Sequence, residues 1–185
     1  IIKTISANGD PIFEHRICAE YLTCVWLKKH KDKTLLQKVM FVERYKNLRV
    51  IFDLLLAKNS PLHLSIISKN LDQFEKYKDK MNTKDRGGRT PMHIICTYGI
   101  EYPDNITRIH NREYSWYMTM VKVLVKECTS FDSKDDLLNY TCLDYCLEAN
   151  CLYVLEAILE NKLAHFNDIK EKIFKHYKRE TLVYY

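Results

Sequence analysis

Asp85-Arg86-Gly87-Gly88-Arg89-Thr90-Pro91-Met92-His93-Ile94-Ile95-Cys96-Thr97-Tyr98-Gly99 reads as a tight turn followed by a short buried helix. Gly87 and Gly88 permit positive φ in the turn, and Thr90 can cap the helix by accepting backbone N–H bonds. Pro91 suits the first helical position, where no donor is missed. Met92, Ile94, Ile95 and Cys96 form an apolar body, and Gly99 can close the helix in the left-handed conformation. A helix of about two turns is not stable alone in water, so matched neighbours are required.

Such neighbours recur along the chain. Ser60-Pro61-Leu62-His63-Leu64-Ser65-Ile66-Ile67 repeats the cap, proline, apolar residue and histidine 30 residues earlier. Thr141-Cys142-Leu143-Asp144-Tyr145-Cys146-Leu147 repeats them more loosely 51 residues later, with Asp144 in place of the histidine. This pattern resembles the ankyrin repeat, whose T-P-L-H signature returns roughly every 33 residues. The resemblance implies an all-α solenoid of stacked helix-turn-helix units with divergent terminal repeats. It also implies that Ser60, Pro61, His63, Gly88, Thr90, Pro91, His93, Gly99 and Thr141 are structural, with the imidazoles tying neighbouring backbone segments together.

Composition agrees with a folded helical chain. The 185 residues are 46% hydrophobic, enough to fill one domain or one continuous solenoid core, and four Gly with four Pro leave few turns for an all-β fold. No run of 18 apolar residues and no signal peptide is present. Seven cysteines, an odd number without a CxxC pair, read as reduced thiols in a cytoplasmic or nuclear setting. A net charge of +5 lacks the dense basic stripe of a dedicated nucleic-acid binder.

Working outward, residues 1–58 read as divergent N-terminal repeats. The turn Asn8-Gly9-Asp10-Pro11 is expected to start a helix to about Lys28 with Ile12, Phe13, Ile17, Leu22, Val25 and Trp26 on its apolar side. The lysine cluster at 28–33 reads as a solvated connection. Residues 47–56 read as the outer helix of a repeat, yet only Ala57, Lys58 and Asn59 precede the next cap, so either the junction is abnormal or, as favoured here, a finger is missing near Lys58. Repeats then cover 59–84, 85–135 and 136–163. The second is interrupted by an insert at 100–116 carrying Tyr102, Pro103, Tyr114 and Trp116, which delays its outer helix by about 17 residues. A helix with Phe166, Ile169, Ile173, Phe174 and Tyr177 on one face is expected to close the stack, followed by a tail to 185.

Cys142, Cys146, Cys151 and His165 invite a zinc reading, but a structural site needs four converging ligands and cysteine is a good small core residue. A cysteine hydrolase near His93 would need an activated thiol and an oxyanion hole. No catalytic, metal or cofactor residue is assigned, and enzyme activity is kept only as an alternative.

Within ankyrin proteins the motif Asp85–His93, the enlarged repeat after it and Asn139-Tyr140-Thr141-Cys142-Leu143 most resemble the inhibitor-of-κB group. The resemblance implies a protein-binding regulator of immune or stress signalling that contacts a Rel-type transcription factor or another signalling complex. A pathogen-encoded adaptor that captures a host signalling protein is the alternative binding role. No membrane, nucleic-acid or small-molecule ligand is expected. The expected concave-face contacts are Lys69, Asn70, Arg86, Arg89, Tyr98, Ile100, Tyr114, Trp116, Tyr140 and Asn150.

Overall fold

The computed structural model describes residues 2–5, 8, 11–13, 15–98, 112–129, 131–161, 171 and 173. Gly99, Ile100, the insert to residue 111, His165 and nearly all of the expected closing helix lie outside the described residues.

The described chain is mostly helical, with one small antiparallel hairpin at its start. Strand β1 (Ile2–Ile5) pairs with β2 (Pro11–Phe13), setting Ile2 opposite Phe13 and Thr4 opposite Ile12. The expected helix from Pro11 is therefore corrected: the β-favouring pair Ile12-Phe13 finds cross-strand partners, and helix α1 begins only at Arg16 and runs to His30. Lys31, at φ 51, closes it by donating its N–H to the Leu27 carbonyl.

Asp32 then caps α2 (Lys33–Phe41), accepting the Leu35 N–H at 2.9 Å. A single 3₁₀ turn leads into α3 (Lys46–Leu56). Six further helices follow: α4 (Pro61–Ile67), α5 (Leu71–Lys76), α6 (Pro91–Tyr98), α7 (Arg112–Glu127), α8 (Cys142–Glu148) and α9 (Leu152–Asn161). Among the described residues no helix is long and apolar enough to cross a membrane.

From α4 onward the helices pair, α4 with α5, α6 with α7 and α8 with α9. The pairs stand side by side, α4 touching α6 and α6 touching α8 in one row, α5 touching α7 and α7 touching α9 in the other. All eight residues of α6 are buried. No short helix hides every side by contact with one neighbour, and α6 has α4, α8 and α7 around it.

The remaining side of α6 is covered by the N-terminal segment. Arg49 of α3 lies 5.9 Å from the ring centroid of Tyr98, and Asp53 of α3 reaches Arg89 just before α6. Helix α2 runs on across the same face: Met40 Sδ is 3.6 Å from Arg89 Nη1, Phe41 meets Tyr145 of α8 edge-on at 5.2 Å, and Gln37 donates to the Tyr140 hydroxyl at 2.7 Å. Leu36, Val39 and Met40 are buried there.

At the junction after α3, the Leu56 carbonyl accepts the Arg86 N–H at 3.2 Å, so the end of α3 lies directly against the Asp85–Arg89 loop.

Candidate functional site

Two loops along one edge of the molecule repeat the same construction. In the first, Asp85 Oδ1 accepts the N–H groups of Gly87 (2.8 Å) and Arg89 (3.0 Å), while Asp85 N donates to the Arg89 carbonyl at 2.9 Å. In the second, Asp135 accepts from Leu137 (2.6 Å), Leu138 (2.7 Å) and Tyr140 (2.9 Å), and its own N donates to the Tyr140 carbonyl at 2.9 Å. Gly88 at φ 74 and Asn139 at φ 62 take the left-handed position in each. The loops are joined to each other, Asp136 N donating to Gly87 O at 2.8 Å.

The histidines bridge each helix pair to the next loop. His63 Nε2 donates to the Arg89 carbonyl at 2.8 Å, and His93 Nε2 donates to the Tyr140 carbonyl at 3.2 Å. On the other side of its ring, His93 Nδ1 accepts from Thr90 N at 3.1 Å and Thr90 Oγ1 at 2.7 Å. Both contacts require the neutral tautomer with its proton on Nε2. Burial lowers His93 to a pKa of about 4 and lowers His63 in the same direction. Asp144 takes up the same local contacts, its Oδ2 accepting from Thr141 N at 2.8 Å and Thr141 Oγ1 at 2.7 Å. Ser60, expected as a cap, makes no side-chain capping bond.

Beneath the loops lies a buried charge cluster. Arg89 Nη1 is 2.6 Å from Asp53 Oδ1, and its Nε donates to Asp85 Oδ2 at 2.9 Å, with all three side chains inaccessible to water. Burial opposes the charged form of Arg89, but Asp85 and Asp53 outweigh it and hold the guanidinium above the ordinary arginine range. Burial alone would raise Asp85 as well. Arg89, by charge and hydrogen bonding, reverses this and leaves the Asp85 carboxyl below the ordinary range. Asp53, more deeply buried, is raised despite its partner. The signal for this cluster in the sequence was an aspartate, Asp53, inside the apolar run Ile51-Phe52-Asp53-Leu54-Leu55-Leu56.

The expected contact residues divide accordingly. Arg86, Asn70 and Asn150 are exposed along the loop and turn edge. Lys69 (φ 56) and Asn150 (φ 50) close α4 and α8 in the same left-handed manner, and Asn70 caps α5 by accepting Gln73 N–H at 3.0 Å. Tyr140 is half-buried. Three expectations are corrected: Arg89 is 0% exposed, Tyr98 1% and Trp116 6%. Arg89 and Tyr98 lie under α3, while Trp116 packs edge-on against Tyr117 with Lys69 Nζ 5.6 Å above its ring. Ile100 and the side chain of Tyr114 lie outside the described residues.

Six of the seven cysteines, all but Cys18, belong to the core. Cys96 and Cys146 meet across α6 and α8 with sulfurs 3.0 Å apart, and Cys151 Sγ lies 2.9 Å from the Tyr117 hydroxyl. Burial raises the Cys96 thiol well above its ordinary range and Cys24 to about 12, which suppresses the thiolate that nucleophilic chemistry or metal binding needs. Among the described residues no group of three or more His, Cys, Asp or Glu side chains converges to hold a metal ion. Compared with protein-family models, curated proteins and solved structures, the chain matches none.

Proposed function

We propose that this chain is an ankyrin-repeat protein that works by binding another protein, acting as a cytoplasmic or nuclear regulator of the inhibitor-of-κB type with a Rel-type transcription factor, or an equivalent signalling complex, as its partner. The reading rests above all on one repeated contact. Each of two successive short helices sends a histidine Nε2 to the carbonyl just before the next helix's cap, at Arg89 and at Tyr140. A unit that bonds to its copy in this way builds a row, and rows of helix pairs present long surfaces to other proteins rather than a closed reaction chamber. The buried Cys96 and Cys24 thiols, raised well above their ordinary range, support a non-enzymatic role.

Partner contact by this reading falls on the exposed loop edge, where Arg86, Asn70 and Asn150 reach solvent. Titrating the purified chain into a Rel-type dimer by calorimetry tests it. Binding that weakens by roughly tenfold on Arg86→Glu supports the assignment. No heat at any concentration removes the Rel-type partner, and catalytic turnover of an ester or peptide substrate by the pure chain removes the binding-only role.

A further inference from the structure

Helix α1 is expected by its position at the end of the stack to turn a polar face to water. It does the opposite. Only Cys24 and Leu27 of this helix are buried, while Ile17 (63% exposed), Tyr21, Leu22, Val25 and Trp26 form an outward apolar strip, with a cleft of about 360 Å³ lined by Ile17, Cys18, Tyr21 and Leu22. The strip ends in charge. Lys28 and Lys29 follow Tyr21 and Leu22 by seven residues and Val25 by three and four, so the helical repeat sets them on the same face. Glu20, the one acid of α1, is tied to Arg16 at 2.7 Å.

We propose that the outward face of α1 docks an amphipathic helix of a partner protein, whose apolar anchors enter the strip and whose acidic residues meet Lys28 and Lys29. The proposal rests on the reading of the chain as a binding module and sets its main contact surface on α1 rather than on the loop edge or the inner row of helices. That row is roofed by α2 and α3 through fully buried Met40, Phe52 and the Arg89–Asp53 pair. A second copy of the chain does not suit the strip: an antiparallel pairing sets Lys28 and Lys29 beside Ile17 and Cys18 of the other copy, with no carboxylate to meet them, and a parallel one sets lysine against lysine. A concave cleft accepts an inserted side chain, as grooves that hold helical peptides do.

The test displays a library of helical peptides, roughly 18 residues long, with apolar anchors at i, i+3, i+4 and i+7 and Glu or Lys drawn equally at the flanking positions. Selected on the full chain, the recovered peptides carry Glu over Lys by roughly tenfold. Lys28→Glu with Lys29→Glu inverts that preference, and Leu22→Asp abolishes selection while leaving the thermal midpoint unchanged. Selection without a charge preference, or none, overturns the proposal. So does a dimer in light scattering that Leu22→Asp dissociates, or sedimentation with phosphatidylserine vesicles while the library stays unselected. If the Rel-type titration gives heat that Leu22→Asp leaves intact, the binding-module reading stands and this surface falls.

Discussion

Arg89 carries one positive charge between two carboxylates with no access to water. Truncating one member of such a cluster strands the others, so Arg89→Met is expected to destabilise the chain by roughly 3–5 kcal/mol in urea unfolding, and adding Asp53→Asn recovers part of the loss. An unchanged midpoint would show that the pair contributes nothing. His93 makes a prediction in pH. Its pKa is about 6.5 when unfolded and about 4 when folded, so between those values the unfolded chain takes up a proton that the folded chain refuses. Its contribution is complete above about pH 6.5 and is lost as pH falls toward 4, on the order of 3 kcal/mol in all. His93→Gln, compared by urea midpoint across that window, is expected to show a flatter slope than the wild type.

At the scale of single elements, the loop Asp85–Arg89 was legible in advance because its chemistry is local. An aspartate that accepts N–H bonds two and four residues on, and a glycine at positive φ, need no distant partner to be recognised. What the loop touches was not legible. A Cβ on Gly88 would lie 2.8 Å from the Asp136 backbone N, besides demanding φ 74 of an ordinary residue, whereas one on Gly87 would meet chiefly the movable Leu137 Cδ1 at 3.0 Å. Gly88→Ala is therefore expected to cost about 2 kcal/mol or more and Gly87→Ala clearly less, measured as thermal or urea unfolding of the two variants side by side. Equal effects would mean that the two loops are not stacked through this glycine. Helix α1 shows the reverse case: its spacing marks Ile17, Leu22, Val25 and Trp26 as one apolar side, yet hydrophobic spacing identifies a stripe without saying which way it turns.

Across the whole molecule, the N-terminal segment and the paired helices form one core. Phe52, Leu56, Leu36 and Met40 share it with Ile94 and Ile95. A chain beginning at Lys58 would uncover Arg89, Tyr98 and Tyr145 and strip the Arg89 guanidinium of Asp53, leaving Asp85 as its carboxylate partner. Such a truncation is expected to lose cooperative unfolding in near-ultraviolet circular dichroism. A sharp transition at the wild-type midpoint would show that the helix pairs stand without their roof.

The sequence by itself determined the units: that short helices open at Pro61, at Pro91 and just after Thr141, that the loop before Thr90 turns through glycine, and that the described chain is mostly helical. Those choices depend on interactions within a few residues, whose energies the local sequence contains. Only the tertiary structure decided that α2 and α3 lie across α4, α6 and α8, that Arg89 turns inward to Asp53 rather than outward to a partner, and that α1 leaves its apolar strip in solvent. These are outcomes of long-range burial, in which the same guanidinium or isoleucine is stable inside or outside according to what arrives opposite it from dozens of residues away.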